Sequence, residues 1–257
     1  MLPFISVFGR EISMYAICII VGIVAGICVA FWRTEIYGYK KEDVLFASIY
    51  GVFFAIVGGK ILYLFTILPF IMKNFQLIIS SIHNIQILMV GGFVFYGGLL
   101  GAFVGIFIYT KQYKLDTGKM IEIMAPSFPL IHAFGRVGCF CAGCCYGKPF
   151  HDPIGLYFTK SQIAPHDVSL FPIQLLEALC NLLLFAIMAI LFRKKETKGQ
   201  AIAVYLCSYA ILRFGLEFMR YDMERGFLLG FSTSQWISVL VLLAFAFRCH
   251  KRFFETC

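Results

Sequence analysis

Seven long apolar blocks alternate with shorter polar segments along the 257-residue chain. The blocks cover residues 14–32, 44–67, 87–109, 120–140, 171–192, 201–219 and 228–247. Each is close to the ~20 residues that an α-helix needs to cross the hydrocarbon core of a bilayer. Lipid offers the backbone no hydrogen-bond partners, so apolar segments of this length are expected to be helical. The pattern predicts an all-α integral membrane protein, a bundle of about seven transmembrane helices.

The composition agrees with a membrane protein. Hydrophobic residues make up 60% of the chain and charged residues 14%, whereas about one quarter of the residues in a soluble domain are charged. No linker or low-complexity segment divides the chain. We therefore expect residues 1–257 to form a single polytopic membrane domain.

The formal net charge of +8 is explained by where the basic residues lie. Most of the 22 lysines and arginines follow the first, third, fifth and seventh blocks, on one side of a seven-helix bundle. Basic loops stay in the cytoplasm, so we expect the N-terminus outside and the C-terminus cytoplasmic. The proline-containing stretch at about 141–171 then forms a small extracytoplasmic cap. This charge distribution gives no reason to expect a nucleic-acid partner.

Several charged residues lie within or at the ends of the apolar blocks, where a charge costs at least ~2.5–3.5 kcal/mol on insertion scales. Arg136 lies in the fourth block, and Arg213, Glu217 and Arg220 share one face of the sixth, at positions i, i+4 and i+7. Glu217 either forms a purely structural ion pair there or helps to line a pocket. One carboxylate cannot neutralise three guanidiniums. We therefore expect a pocket, open to the outer side, in which arginine forks bind an anion such as a phospholipid phosphate.

The stretch YGGLLG, from Tyr96 to Gly101, is richer in glycine than the close packing of helices through small residues requires. Elsewhere in the spans, packing explains the glycines. We expect the helix to break at this stretch, so that the backbone meets a ligand.

A cysteine-rich stretch, HAFGRVGCFCAGCCYG at 132–147, begins within the fourth block and runs past its end. Its four thiols, Cys139, Cys141, Cys144 and Cys145, are too crowded for the paired knuckles of a structural zinc site. Disulfides are compatible with an extracytoplasmic position, and a catalytic thiol is a further alternative. We favour small packing residues in the wall of the pocket, with no metal and no cofactor.

Four segments resemble, in chain order, those of the prolipoprotein diacylglyceryl transferase family. FVFYGGLLGAF at 93–103 is similar to the family's histidine–glycine–glycine segment, and GRVGCFCAGCCYG at 135–147 to its G-R-x-G-N-F-x-x-x-E-x-x-G signature. FPIQLLEAL at 171–179 resembles H-P-S-Q-L-Y-E, and LRFGLEFMR at 212–220 resembles R-F-x-x-E-F-x-R. Tyr15 matches a family tyrosine in the first span. The resemblance covers nearly the whole chain.

The resemblance implies an enzyme of the bacterial cytoplasmic (inner) membrane. Such an enzyme transfers the diacylglyceryl group of phosphatidylglycerol to the lipobox cysteine thiol of a prolipoprotein and releases glycerol phosphate. Its partners are phosphatidylglycerol, the prolipoprotein acceptor and the lipid bilayer. The residues implied as catalytic are Arg136, Arg213, Tyr96 and Glu217. Those implied in substrate binding are Tyr15, Gly97, Gly98, Cys139, Cys144, Gly147, Gln174, Glu177 and Arg220.

Within this resemblance, Arg136 and Arg213 would hold the lipid phosphate, which is also the leaving group, and Glu217 and Arg220 would orient that pair. Guanidiniums placed in advance stabilise the charge that develops on departing phosphate oxygens.

Three positions depart from the family pattern. Tyr96 stands where the family has its proposed general base, a histidine, while Cys139 and Cys144 replace the signature asparagine and glutamate. A neutral tyrosine is a poor base at neutral pH. His132, one turn before Arg136, either takes over that proton or is a core histidine with its hydrogen bonds satisfied. The alternatives are a divergent transferase with a non-lipoprotein acceptor and a non-catalytic phospholipid-binding or transport protein.

Overall fold

A computed structural model describes residues 2–7, 9–90, 92–151, 153–193, 196–197, 199–221 and 227–255. Within these ranges most residues are helical, which confirms the predicted helical class. Four basic residues used for the predicted topology, Lys194, Lys195, Lys198 and Arg225, lie outside the described residues.

The described helices are α1 (Met14–Tyr37), α2 (Lys41–Thr66), α3 (Leu68–Lys73), α4 (Phe75–Ile79), α5 (Ile82–Val90), α6 (Phe95–Gln112), α7 (Thr117–Met124), α8 (Ser127–Ala142), α9 (Ile173–Leu191), α10 (Gln200–Glu217) and α11 (Thr233–Glu255). Short strands, which the all-α prediction lacks, form antiparallel pairs: β1 (Phe4–Val7) with β2 (Arg10–Ser13), β3 (Leu156–Tyr157) with β4 (Ser169–Leu170), and β5 (Phe227–Leu228) with β6 (Phe231–Ser232).

Three of the described helices, α1, α2 and α9, are long and apolar enough to cross a membrane. A shorter apolar stretch, Thr233–Arg248, lies within α11. These helices identify a membrane protein.

The third and fourth apolar blocks differ from the prediction of one helix across each. The third is divided between α5 and α6, and Gly92 in the connection has a left-handed φ of +62°. The fourth is divided between α7 and α8 at Ala125 and Pro126. Proline lacks a backbone N–H and disfavours helical conformation in the residue before it, which explains the second interruption.

The chain divides into two compact units, one formed by Met1–Tyr37 with Glu122–Cys257 and the other by Gly38–Ile121. In the first unit, α8 contacts α1 and α9, α9 contacts α10, and α10 contacts α11. Gly26 of α1 lies directly against Ile131 of α8, and its carbonyl accepts a 2.7 Å hydrogen bond from the Ser127 hydroxyl. Close packing of this kind fixes the position of α8, which carries Arg136.

In the second unit, α2 and α6 approach each other through glycines. A Cβ atom on Gly97 would collide with the Gly58 carbonyl, and one on Gly101 would collide with the Phe54 carbonyl. The predicted break at Tyr96 to Gly101 is therefore wrong. These residues belong to the continuous helix α6, and their glycines allow two backbones to pack closely.

A buried polar network joins the ends of several helices in the first unit. The Glu122 carboxylate accepts 3.1 Å hydrogen bonds from the backbone N–H groups of Ala201 and Ile202, in the first turn of α10. Negative charge is favourable at a helix N-terminus. Arg33, only 1% exposed, donates to the Glu122 carbonyl and to the Tyr37 hydroxyl, both at 3.3 Å. This network stabilises the start of α10, the helix that carries Arg213.

The segment between α8 and α9 folds around a small hydrophobic cluster of its own. Tyr146, Phe158, Ala164 and Leu170 are buried together, and β3 pairs with β4 beside them. This compact segment coincides with the stretch for which a cap is predicted.

Candidate active site

Glu177 on α9 is a carboxylate, 1% exposed, that contacts side chains from two neighbouring helices. Its Oε1 lies 3.0 Å from Arg136 Nε on α8 and accepts a 3.0 Å hydrogen bond from the Tyr209 hydroxyl on α10. Its Oε2 lies 3.7 Å from Arg213 Nη1, also on α10. The two arginines that the resemblance implies as phosphate ligands therefore converge on one buried carboxylate.

Four polar residues form a stripe along α10: Tyr205, Tyr209, Arg213 and Glu217. Their spacing of four residues places them on one helix face. Arg213 Nη2 lies 2.6 Å from Glu217 Oε2 and donates a 3.2 Å hydrogen bond to the Ser234 hydroxyl of α11. The ion pair considered for the sixth block is thus present, and Arg213 is held from three sides.

A chain of hydrogen bonds connects His132 to the buried carboxylate. Its Nε2 lies 3.3 Å from the Tyr209 hydroxyl and its Nδ1 lies 3.4 Å from the Tyr205 hydroxyl. Because Tyr209 donates its hydrogen to Glu177, its oxygen must accept from His132 Nε2–H, and a neutral His132 then accepts from Tyr205 at Nδ1. Both ring nitrogens have partners, which favours the core-histidine alternative over a proton acceptor for substrate.

The described ion pairs of this cluster join two arginines, Arg136 and Arg213, to two glutamates, Glu177 and Glu217, so their formal charges balance. The surplus of positive charge expected from the sequence rests on Arg220, which lies beyond the end of α10. Arg213 Nη1 has no hydrogen-bond partner among the described residues, although a carboxylate oxygen lies 3.7 Å away. A buried donor left unsatisfied costs about 1–3 kcal/mol. An anion that brings acceptor oxygens would remove this cost.

Gly147 joins the cysteine-rich segment to the end of the sixth predicted span. It forms an isolated antiparallel bridge with Arg220, and the flanking Tyr221 N–H donates to the Tyr146 carbonyl at 3.1 Å. A Cβ on Gly147 would lie only 2.6 Å from the Phe171 carbonyl. Only glycine allows this close backbone contact, which places Arg220 beside the cysteine-rich segment.

The cysteine-rich stretch turns back on itself after α8. Gly143 ends the helix with a left-handed φ of +74°, and the Cys144 N–H donates to the Cys139 carbonyl at 3.1 Å. Gln174 holds the turn by donating from Nε2 to the Cys144 carbonyl at 2.8 Å. As a result, the sulfur atoms of Cys139, Cys144 and Cys145 all lie within 4.8 Å of one another.

Tyr15, at the start of α1, is 41% exposed. Its ring lies against Gly138, where a Cβ would be 3.0 Å from Tyr15 Cδ2. Tyr15 therefore flanks the part of α8 that carries Arg136 and Cys139.

The remaining predicted residues, Tyr96, Gly97 and Gly98, belong to the second unit, in the first turn of α6. Tyr96 is half-buried beside the Phe95 ring, with the ring centroids 5.9 Å apart. Gly98 lies against the ring of Phe93. Gly97 and Gly98 thus have packing contacts of their own within that unit.

Sequence reasoning missed Tyr205, Tyr209 and Ser234. The tyrosines continue the four-residue spacing of Arg213 and Glu217 toward the N-terminus of the same helix, so that spacing could have revealed them. Ser234 belongs to another helix, and no sequence pattern connects it with Arg213.

The fold and this cluster define a helical integral-membrane protein with a charged site enclosed by its helices. A family model described as prolipoprotein diacylglyceryl transferase matches residues 3–249. The chain belongs to the prolipoprotein diacylglyceryl transferase family.

Several relatives are similar over most of the chain. A protein of Clostridium tetani (strain Massachusetts / E88) named phosphatidylglycerol--prolipoprotein diacylglyceryl transferase is 35% identical over 238 residues, which cover 93% of this chain and 92% of the relative. A Clostridium perfringens (strain 13 / Type A) protein named phosphatidylglycerol--prolipoprotein diacylglyceryl transferase 2 is 33% identical, and the match covers 93% of this chain and 90% of the relative. A relative of the same name from Dehalococcoides mccartyi (strain ATCC BAA-2266 / KCTC 15142 / 195) is 28% identical, with 96% and 92% covered.

Proposed function

We propose that this protein transfers the diacylglyceryl group of phosphatidylglycerol to the lipobox cysteine thiol of a prolipoprotein and releases glycerol phosphate. Family membership over residues 3–249 and the names of the relatives support this activity. The structural observation that supports it best is the convergence of Arg136 and Arg213 on Glu177, at 3.0 and 3.7 Å.

The convergence of Arg136 and Arg213 suits the reaction of the lipid donor. As the bond between the glyceryl carbon and the phosphate oxygen breaks, negative charge grows on the departing glycerol phosphate. Guanidiniums fixed before the reaction stabilise such charge without reorganising. Glu177 fixes Arg136, while Glu217 and Ser234 fix Arg213 and leave its Nη1 with hydrogen-bonding capacity. Arg136 and Arg213 are the proposed catalytic groups, and Glu217 positions one of them.

The other predicted site residues take supporting roles in this proposal. Tyr96 stands at the family's base position and counts among the catalytic residues. The proposed substrate-binding set is Tyr15, Gly97, Gly98, Cys139, Cys144, Gly147, Gln174, Glu177 and Arg220. Several of these contact one another: Gln174 holds the Cys144 backbone, and Gly147 bridges to Arg220.

The proposed setting is the bacterial cytoplasmic membrane, in a single domain over 1–257 with about seven spans. The third span would be α6, with α5 before it, and the fourth would be α8, with α7 before it. The N-terminus would lie outside and the C-terminus in the cytoplasm, because basic residues follow the odd-numbered spans. Residues 141–171 would then form the extracytoplasmic cap. Phosphatidylglycerol and the prolipoprotein would be partners within the bilayer, and we propose no nucleic-acid partner.

The test is transfer by the full chain, reconstituted in phosphatidylglycerol vesicles, to a synthetic lipobox peptide, with mass spectrometry of the thioether product. Arg136→Lys and Arg213→Lys keep the charge that faces Glu177 but lose the planar fork. Each is expected to lower the rate about 10²- to 10³-fold without lowering the unfolding temperature by more than a few degrees. Arg10→Lys, on an exposed strand, is the matched control. Full activity in either variant would contradict the proposed role of the arginines.

A second candidate is a divergent transferase that uses another acceptor. Its support is that the three departures from the family pattern, Tyr96, Cys139 and Cys144, fall at the family's base and signature positions, whereas Arg136, Arg213, Glu217 and Arg220 match the pattern. The same vesicles distinguish the candidates. Release of glycerol phosphate without peptide modification indicates another acceptor, and lipid binding without release indicates a non-catalytic binding or transport protein.

A further inference from the structure

Three cysteine sulfurs gather at one point beside the arginine cluster. Those of Cys139, Cys144 and Cys145 lie within 4.8 Å of one another, with Cys139 buried and the other two half-buried. The arrangement depends on an unusual turn, because Cys145 has a left-handed φ of +59°. Non-glycine residues rarely adopt this conformation and do so mostly where the surroundings impose it, often at functional sites.

This spacing fits a metal ion better than the linear order of the cysteines suggests. A zinc ion about 2.3 Å from each thiolate in tetrahedral geometry separates the sulfurs by about 3.8 Å. Sulfurs already within 4.8 Å reach that separation by shifts of about 1 Å. The hydrogen bond from Gln174 to the Cys144 carbonyl, at 2.8 Å, holds the turn in place.

Nearby charge suits such a site. A zinc ion with three thiolates carries one net negative charge. Arg136 lies three residues before Cys139 on the same helix face, and Arg220 is bridged to Gly147, two residues after Cys145. These guanidiniums compensate the negative charge of the three thiolates and do not compete with them for the metal.

Three protein ligands leave the fourth tetrahedral position open, as in catalytic zinc sites. We propose that Cys139, Cys144 and Cys145 bind one zinc ion, and that the open position takes the acceptor thiol as a thiolate. This inference rests on the proposed function, in which the acceptor is a cysteine. Metal coordination deprotonates a thiol outright, so this chain would not need the family's general base. The replacement of that base by Tyr96, together with the appearance of Cys139 and Cys144, then has one explanation.

In the proposed step, the acceptor S–H loses its proton to solvent on binding the metal. A sulfur electron pair forms the new bond to the glyceryl carbon, and the bond from that carbon to the phosphate oxygen breaks, with its electron pair leaving on glycerol phosphate. The product is a neutral thioether, which is a weaker ligand than a thiolate and departs.

The first test measures metal in the purified full-length chain. Elemental analysis is expected to give about one zinc per chain, and cobalt substitution is expected to give a thiolate-to-cobalt charge-transfer band. Cys139→Ser, Cys144→Ser and Cys145→Ser should each remove both signals. Cys141→Ser, in the same stretch but outside the cluster, and Cys28→Ser, on the exposed part of α1, should keep them.

The second test measures transfer to the lipobox peptide after chelation. The zinc-free protein is expected to lose at least about a hundredfold in rate, the lower end of what a general base supplies, and added zinc should restore it. Three results would overturn only this inference. They are transfer at full rate without zinc, zinc retained after exchange of Cys139, Cys144 or Cys145, and a disulfide among these three cysteines in the isolated active protein. Bound zinc without transfer to any peptide overturns the proposed function, and with it the activation of an acceptor thiol by zinc.

Discussion

The exchange Glu177→Gln tests the centre of the arginine cluster. The side chain keeps its size but loses the negative charge that faces Arg136 at 3.0 Å and Arg213 at 3.7 Å. An amide oxygen can still accept the hydrogen bond from Tyr209. Arg213 also keeps its pair with Glu217 at 2.6 Å. The loss therefore falls mainly on Arg136, whose carboxylate partner among the described contacts is Glu177.

Removing one partner of a buried ion pair costs about 3–5 kcal/mol, because the other charge stays buried without compensation. We expect the low end, about 3 kcal/mol, since Arg213 keeps a second carboxylate and the Arg136 side chain is 14% exposed. At about 2–4 °C per kcal/mol for a chain of this size, the unfolding temperature should fall by about 6–12 °C.

Activity should respond in a different way. Without Glu177 the two guanidiniums are held less firmly, but the net charge of the cluster becomes more positive. We expect kcat to fall about a hundredfold, the loss typical of one transition-state donor, while KM for phosphatidylglycerol does not rise. The assays are thermal unfolding in detergent and transfer rates at varied lipid content. Glu35→Gln, an exposed glutamate of α1, is the matched control and should change neither.

A double variant tests whether charge is the cause. Adding Arg136→Met to Glu177→Gln removes the uncompensated charge, so most of the lost stability should return, whereas activity should not. Additive stability losses in the double variant would refute the ion-pair explanation. A single variant with normal stability and normal kcat would refute the positioning role of Glu177.

Three further predictions concern other parts of the molecule. Glu122→Gln weakens the carboxylate contacts to the N–H groups of Ala201 and Ile202 and should cost about 2–3 kcal/mol, measured by thermal unfolding; an unchanged unfolding temperature would contradict it. Gly101→Val should prevent the close approach of α6 to α2 and abolish folded, monodisperse protein in size-exclusion chromatography, whereas Leu100→Val, on the exposed face, should not. His132→Phe should lower stability by about 1–3 kcal/mol, because the Tyr205 hydroxyl loses its acceptor and the Tyr209 oxygen loses its donor, yet leave the pH profile of transfer unchanged. Loss of the decline in rate at low pH would make His132 the base.

Hydropathy predicts the helical membrane class and places helices near the apolar blocks. It cannot predict where the third and fourth blocks are interrupted, because apolar content is the same on both sides of each interruption. Pro126 is visible in the sequence and could have been used for the fourth block. Glycine density near Tyr96 suggests a break, but it marks the place where α6 meets the backbone of α2. Density alone does not distinguish a distorted helix from a closely packed one, since both need residues without a side chain.

The polar site can be predicted along each helix but not between helices. The spacing of Arg213 and Glu217 predicts their pairing, since i and i+4 positions meet on any helix. The contact of Glu177 with Arg136, in contrast, joins two helices. In a membrane protein both the lipid-facing and the buried side of a helix are apolar, so the hydropathy pattern does not show which helix faces meet. A single charged residue in each of several spans is then the most useful signal. Charges at membrane depth need partners, and the isolated arginine of α8 and the isolated glutamate of α9 satisfy each other. The same reasoning applied to polar tyrosines would have placed Tyr209 beside them, because its hydroxyl also needs a partner at that depth.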